Sequence, residues 1–185
     1  MITTKPKKGD LLIAEPAIIG DMSFNRSIVL LADHNQEGSI GFILNKPLSY
    51  TINDLVPEVE ATFKVYNGGP VEQDNLYFIH SIPQLIPDSI EISLGIFWGG
   101  DFSKVAELIT NHKIKEKDIR FFLGYSGWSE AQLNIGLNER SWIVIENNFS
   151  NLFTINSDEF WKNQLLEIGG EYQIWANAPE DPALN

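Results

Sequence analysis

The sequence contains no cysteine among its 185 residues. This absence excludes disulfide bonds, a thiol nucleophile, thiolate-bound zinc and cysteine-ligated iron–sulfur clusters. It is consistent with a reducing compartment. Histidine is also scarce, and His34, His80 and His112 lack the close spacing of a metal-binding motif. We therefore expect neither a bound metal nor a cofactor.

Positive charge is scarce relative to negative charge. The chain has 13 Lys and Arg against 25 Asp and Glu, which gives a formal net charge of −12. Proteins that bind a nucleic-acid duplex gain most of their affinity by placing Lys and Arg against phosphate. The basic run of Lys5, Lys7 and Lys8 lies at the very start of the sequence. The composition therefore disfavours direct nucleic-acid binding.

Long hydrophobic runs are absent as well. No apolar stretch approaches the roughly 20 residues needed to cross a bilayer, and Glu15 and Pro16 interrupt the apolar run that begins at Leu11. We expect no signal peptide, no membrane partner and a cytoplasmic location. With 43% hydrophobic and 21% charged residues, the composition is that of a globular protein. We expect a flexible extension over residues 1–8 and one domain over 9–185.

Strand patterns outnumber helix patterns. Nine segments rich in Ile, Leu, Val and aromatic residues, each bounded by turn residues, predict strands. They are 11–18, 27–34, 39–46, 63–69, 75–81, 91–99, 119–125, 141–147 and 171–177. Apolar spacing predicts helices over 102–113 and 157–170, and a third after Trp128. Because strands and helices do not alternate regularly, we predict an α+β domain with a mixed, largely antiparallel, strongly bent sheet packed by helices.

The segment GYSGWSEAQL, residues 124–133, predicts a strand-to-helix junction. Ser129 is placed to accept a hydrogen bond from the backbone N–H of Gln132, whose side chain can return to the Ser129 N–H, as in a capping box. Trp128 and Leu133 occupy the two positions of a hydrophobic staple. The alternative is that the N–H groups of this helix start bind an anion.

Several motifs together resemble the YqgE/AlgH family. The resemblance spans nearly the whole chain, from Gly9 to Asn185. Its clearest pieces are GDLLIAEPAIIGDMSFNRSIVLL (9–31), GSIGFILNKPL (38–48), YNGGPV (66–71), GGDFSKVAELI (99–109), GYSGWSEAQL (124–133) and PEDPALN (179–185). Their order and spacing carry the resemblance, since no single piece is decisive.

This resemblance implies a compact bacterial cytoplasmic protein whose sheet bends into a pseudo-barrel. It implies no particular reaction, although some family members are labelled as transcriptional regulators. Family members commonly read G-Q-L with one or two glutamates in the following turns. Here Ala131 replaces the glycine, and Asn134 and Gly136 stand where the acids would be. Chemistry based on those carboxylates is therefore not expected of this chain.

Four polar residues are candidates for one surface groove. Asp21 and Arg26 flank Phe24 in a polar connection between two apolar strands, and Asn45 and His80 lie near strand ends. Arg26 is the best candidate for holding an anionic ligand, because a guanidinium can bind carboxylate or phosphate through two parallel hydrogen bonds. The structural alternative is that Asp21 stabilises a turn and Arg26 pairs locally.

Three functions are compatible with these observations. The first is a non-enzymatic regulatory or binding protein that holds a protein or a small anionic ligand at an apolar and aromatic surface near Trp98, Trp128 and the Arg26 region, with Gln132 as a further candidate binding residue. The second is a hydrolase or transferase with a pocket near Arg26, Asn45 and His80. The third is a transcriptional regulator, which the net charge of −12 makes indirect. We favour the first, which is not an enzyme.

Overall fold

The structure is a computed structural model that describes residues 2–16, 22–149 and 152–178. In these ranges the chain forms eleven strands and five α-helices. The strands are β1 (Ile2–Thr3), β2 (Leu11–Ala14), β3 (Ile28–Asn35), β4 (Gly38–Ile43), β5 (Pro47–Thr51), β6 (Lys64–Asn67), β7 (Val71–His80), β8 (Ile90–Ser93), β9 (Ile96–Trp98), β10 (Ile119–Trp128) and β11 (Trp142–Ile145). The helices are α1 (Ile52–Leu55), α2 (Phe102–Thr110), α3 (Glu130–Asn138), α4 (Ser157–Ile168) and α5 (Tyr172–Ala176). Two short 3₁₀ helices cover Met22–Phe24 and Leu152–Thr154.

All eleven strands belong to one sheet. Its main path runs β1–β11–β2–β3–β4–β10–β7–β9–β8, and β5 and β6 join it because β6 pairs with β10. Pairings within the described ranges are antiparallel, with β6–β10 as the parallel exception. These pairings confirm the predicted α+β class with a mixed, largely antiparallel sheet.

The sheet is strongly bent, because its β8 end comes back to the start of β2. Gly9, which precedes β2, has φ +93° and lies so close to Ser93 of β8 that an added Cβ would be 2.1 Å from Ser93 Oγ. Only glycine, which lacks a Cβ, allows this approach. Ile92 and Ile96 of the β8–β9 hairpin accordingly share a hydrophobic cluster with Leu11 of β2. The path itself is open, with β1 and β8 as its ends.

Helices pack on both faces of the sheet. Phe122 of β10 lies in a cluster with Trp161 of α4, whereas the preceding residue, Phe121, lies in a cluster with Val105 of α2. Because successive side chains of a strand point to opposite faces, α2 and α4 pack on opposite faces of β10. A third cluster includes Leu133 of α3. Each large apolar side chain that is fully buried contributes about 1.5–3 kcal/mol.

The prediction of a strand over 171–177 is wrong, because the chain forms α5 there. Two consecutive glycines, Gly169 and Gly170, have φ +81° and +60°. They end α4 in the backbone conformation that favours glycine, and the chain then folds back along α4. The Tyr172 hydroxyl donates to Glu15 Oε1 at 2.6 Å, which ties α5 to the end of β2. A short aromatic-rich run does not by itself distinguish a strand from a helix.

The segment 91–99, predicted as one strand, is a hairpin of β8 and β9. Its turn residues, Leu94 and Gly95, have φ +51° and +75°, the positive values that a type I′ turn requires at both central positions. Near the N-terminus, β1 pairs with β11, with Ile2 opposite Ile145. The flexibility of residues 1–8 and the domain limits of 9–185 stay predictions. None of the helices in the described ranges is long and apolar enough to cross a membrane.

Candidate functional site

Arg120, on β10, is the most deeply buried cation that the structure describes. Only 5% of its surface is exposed. Its Nη1 donates to the Leu44 carbonyl at 2.8 Å and its Nη2 donates to the Phe153 carbonyl at 3.0 Å. Its Cζ lies 4.4 Å from the centroid of the Tyr66 ring, a cation–π distance. Burial lowers the pKa of Arg120, while the charges of Tyr66 and Glu116 oppose this shift.

Arg120 lines a cleft of about 550 Å³ at the end of the sheet where β6 and β10 begin. Five segments form its walls: the start of β5, the strand β6, the turn before β10, the 3₁₀ helix at 152–154 and the start of α4. The lining residues are Pro47, Lys64, Tyr66, Lys115, Glu116, Lys117, Ile119, Arg120, Phe153, Thr154, Ile155, Asn156, Ser157 and Asp158. We call this the basic cleft.

The basic cleft concentrates positive charge. Four of the chain's 13 basic side chains line it, Lys64, Lys115, Lys117 and Arg120, against two carboxylates. Its lining therefore carries a formal charge of +2, since four minus two is two, in a chain whose net charge is −12. The three lysines are exposed. The lining of the cleft is therefore positive, whereas the molecule as a whole is negative.

The lysines of the basic cleft are not neutralised by carboxylates. Within residues 2–16, 22–149 and 152–178, no carboxylate oxygen lies within 4.0 Å of the Nζ of Lys64, Lys115 or Lys117. Glu116 instead uses its Oε1 to accept from the backbone N–H of Lys64 at 2.8 Å. The Lys115 N–H donates to Asp118 Oδ2 at 2.8 Å, which fixes the turn before β10. These bonds fix the backbone at Lys64 and Lys115, and the exposed ammonium groups of the three lysines are available to a ligand.

The opposite wall of the cleft supplies hydroxyl and amide groups. The Ser157 hydroxyl lies 3.5 Å from the Tyr66 hydroxyl, and the Asn156 side chain accepts from the Asp158 N–H at 3.2 Å at the start of α4. Ammonium, guanidinium and hydroxyl groups are donors that suit carboxylate and phosphate oxygens. The basic cleft can therefore bind an anion. In the part of the chain that the structure describes, no group of three or more His, Asp or Glu side chains could hold a metal ion.

Two predicted site residues, Arg26 and Asn45, are brought together, but through the backbone. Asn45 Oδ1 accepts from the Ile28 N–H at 2.8 Å, and its Nδ2 donates to the Arg26 carbonyl at 2.9 Å. The Arg26 Nη2 donates to the Ala178 carbonyl at 2.8 Å, and its Cζ lies 5.1 Å from the Trp161 ring centroid. These contacts attach the connection before β3 to the C-terminal helices.

His80 is placed in a different environment. It is fully buried at the end of β7 and stacks on Phe97, with ring centroids 5.9 Å apart. Its Nδ1 accepts from the Ile82 N–H at 3.3 Å, so the ring is the tautomer whose Nε2 donates to the Gly99 carbonyl at 3.1 Å. Burial lowers the pKa of His80, and the bond to Gly99 opposes this shift. His80 shares none of its hydrogen-bond partners named above with Arg26 or Asn45. Asp21 lies outside the described residues.

The predicted capping box at the start of α3 is confirmed. Gln132 N–H donates to Ser129 Oγ at 3.2 Å, and Ser129 N–H donates to Gln132 Oε1 at 2.8 Å. Trp128 packs in an aromatic cluster with Phe24 and Trp142, at centroid distances of 5.6 and 5.7 Å. Both predicted site residues of this segment, Trp128 and Gln132, are thus engaged in local structure, and a ligand-binding role for them stays a prediction.

The sequence interpretation missed the basic cleft. Its cations are spread over Lys64 and the run KEKDIR, residues 115–120, where acids alternate with the bases and give the pattern of a solvated surface. The signal that could have found it is the arginine of that run, because Arg120 begins an apolar strand in which a charged residue needs a buried partner.

Comparisons with known proteins confirm the resemblance found in the motifs. A family model described as AlgH-like matches residues 11–173. A UPF0301 protein of Cytophaga hutchinsonii is 42% identical over 181 residues, which cover 96% of this chain and 98% of that protein. A UPF0301 protein of Bacteroides thetaiotaomicron is 38% identical over 182 residues, which cover 97% of this chain and 92% of that protein.

Two solved structures have the same fold. The solution structure of the AlgH protein from Pseudomonas aeruginosa matches with a TM-score of 0.72 and 23% identity, over 97% of this chain and 98% of that one. The crystal structure of a protein from Corynebacterium diphtheriae matches with a TM-score of 0.71 and 17% identity, over 94% and 93%. At these identities the likeness concerns the fold alone.

Proposed function

The chain belongs to the AlgH-like family, and we propose that it is a non-enzymatic binding protein that holds a small anionic ligand in the basic cleft. One observation carries this proposal. A chain with a net charge of −12 places four of its 13 basic side chains around one cavity. If the charges were dispersed over the surface, each of these basic side chains would be expected to lie beside one of the more numerous carboxylates.

Electrostatics makes this gathering costly without a ligand. Like charges close together repel, and burial takes Arg120 away from the water that would stabilise its charge. Two carbonyl oxygens and the Tyr66 ring offset part of this cost. An anion in the cleft adds counter-charge for Arg120, beyond that of Glu116, and for the lysines. Arg120 is held in place before the ligand arrives, which spares part of the ordering cost of binding.

The size of the cleft supports a small ligand. A cavity of about 550 Å³ falls within the roughly 300–1,000 Å³ range of small-molecule sites. A duplex would instead extend over a larger part of a chain whose net charge is −12. We therefore propose that any influence on transcription is indirect and follows from ligand binding, and that the ligand is retained without chemical change.

Titration calorimetry at pH 7.5 and low salt tests the proposal, with orthophosphate, pyrophosphate and citrate as probes. The cleft variant Lys64→Gln/Lys115→Gln/Lys117→Gln removes three exposed ammonium groups. An exposed ion pair contributes about 0.2–1 kcal/mol. A value of about 0.65 kcal/mol within this range is a factor of three, so removing three pairs should weaken binding about 30-fold. Its melting temperature should stay near that of the parent, because these lysines make no ion pair within the described ranges.

A matched control separates the cleft from net charge. The variant Lys5→Gln/Lys8→Gln/Arg140→Gln removes the same three charges from two segments, before β2 and after α3, that contribute no residue to the cleft. It should bind the probes within about twofold of the parent, since charges more than about 8–10 Å away are largely screened. Equal weakening in both variants, or no binding of any probe by the parent, would contradict the proposed function.

A further inference from the structure

We infer that the ligand of the basic cleft is a compact polyanion, with two or more phosphate or carboxylate groups and no nucleobase. This inference rests on the proposed function and names the class of its ligand. It depends on three features of the site, which are the number of its cations, the state of its aromatic rings and its volume.

The number and placement of the cations favour a ligand with more than one anionic group. A single phosphate, with a charge of about −1.5 to −2 near pH 7, offsets the formal charge of +2 of the lining, but four basic side chains are present as separate contacts. The cations also come from separate segments, with Lys64 on β6, Lys115 and Lys117 on the turn before β10, and Arg120 at the floor. A ligand with two or more linked anionic groups can reach both the rim and the floor.

The carboxylates of the lining leave this charge largely in place. Glu116 is held by the Lys64 N–H at 2.8 Å, and Asp158 donates its own N–H to the Asn156 side chain in the first turn of α4. Neither carboxylate comes within 4.0 Å of a lysine Nζ of the cleft. The lysines at the rim therefore keep donors for a ligand.

The aromatic rings of the cleft offer no platform for a base. Proteins that hold nucleobases stack them on accessible aromatic rings. Tyr66 is 7% exposed, with the Arg120 guanidinium over its ring at 4.4 Å and the Phe122 ring centroid 6.2 Å away. Phe153, the other aromatic residue among those that line the cleft, is 8% exposed. Both rings are already packed, so recognition falls to the charged groups.

The volume sets the upper size of the ligand. About 550 Å³ holds a chain of two or three phosphates, or a small tricarboxylate, with water around it. Free oligophosphates and small polycarboxylates share this chemistry. The probes below distinguish these two sources, because phosphates and carboxylates are titrated separately.

Calorimetric titration of the full chain with orthophosphate, pyrophosphate, tripolyphosphate, citrate and ATP tests this inference, without divalent cations. Each further exposed ion pair contributes about a factor of three. Tripolyphosphate should therefore bind about tenfold tighter than orthophosphate, and ATP should bind within about threefold of tripolyphosphate. A preference for citrate over pyrophosphate would assign the site to polycarboxylates, and the reverse preference would assign it to oligophosphates. In the triple cleft variant the gain from orthophosphate to tripolyphosphate should disappear, whereas the triple control variant should keep it.

The outcomes separate this inference from the proposed function. If orthophosphate binds as tightly as tripolyphosphate, the polyanion inference falls while the anion site stands. If ATP binds more than tenfold tighter than tripolyphosphate, the site recognises a base and the inference is wrong. If no probe binds, both the inference and the proposed function are wrong.

Discussion

Replacing Asn45 by alanine should destabilise the fold, because its side-chain amide bridges two chain segments. The amide is 8% exposed and uses both of its ends. Its Oδ1 accepts from the Ile28 N–H, and its Nδ2 donates to the Arg26 carbonyl. Arg26 has φ +53°, a left-handed conformation that costs a residue other than glycine about 1–2 kcal/mol. The bond to Asn45 helps to hold the backbone there.

The size of the effect follows from the backbone group that loses its partner when each hydrogen bond is removed. Ile28 is fully buried, and a buried N–H without a partner costs about 1–3 kcal/mol. The Arg26 carbonyl is partly buried, and losing its donor costs up to about 1 kcal/mol. We expect Asn45→Ala to lower the free energy of unfolding by about 2–4 kcal/mol. For a chain of this length, that corresponds to a decrease in melting temperature of about 6–12 °C.

Urea titration and scanning calorimetry at pH 7.5 measure this change. Asn163→Ala is the matched control, since Asn163 is an exposed position of α4. That variant should be as stable as the parent or slightly more stable, because alanine has the higher helix propensity. If Asn45→Ala melts within 2 °C of the parent, the amide does not bridge these segments and our reasoning about Asn45 is refuted.

Two further predictions concern local contacts. Ser129→Ala removes the cap of α3 and should lower the free energy of unfolding by about 1 kcal/mol, as measured by urea titration. Ser129→Asp should retain most of the stabilisation, because Asp is also a good cap. Equal stability of the alanine variant and the parent would refute the cap. His80 should make stability depend on pH. Burial lowers its pKa in the folded state, so the unfolded state takes up the proton first as the pH falls below about 6.5. In that pH range the free energy of unfolding should fall by up to about 1.4 kcal/mol per pH unit. Since protonation also removes the acceptor for the Ile82 N–H, His80→Gln should flatten the profile between pH 7 and 5, and an unchanged slope would contradict this.

Sequence signals that act over a few residues predicted structure well. The capping box at Ser129 is one example, because its donor and acceptor are three residues apart and need no other part of the fold. The helix α2 is another, since apolar spacing predicted it over 102–113 and the chain forms it over Phe102–Thr110. In both cases the residues that determine the geometry are adjacent in the chain.

The failures occurred where distant segments decide the outcome. Residues 171–177 have the composition of a strand, yet α4 and Glu15 hold them as a helix. A ligand-binding role for Asn45 stays a prediction, but its role in joining two chain segments was not predicted from the sequence. Its partners at Ile28 and Arg26 are 17 and 19 residues away, and only the pairing of β3 with β4 brings them within reach.

The basic cleft depends on a non-local pairing, the parallel contact of β6 with β10. Phe121 is opposite Val65, so the register places Arg120 beside Lys64 although 55 residues, from 65 to 119, separate them in sequence. Parallel strands require a long crossover connection, and no pattern within either strand records the partner. The net charge does not reveal this arrangement, because it is a sum of −12 over the whole chain. A bound anion instead responds to the charges within about 8–10 Å of it. An acidic composition thus argues against a duplex partner, which would span the whole surface, and carries no argument against a small anion.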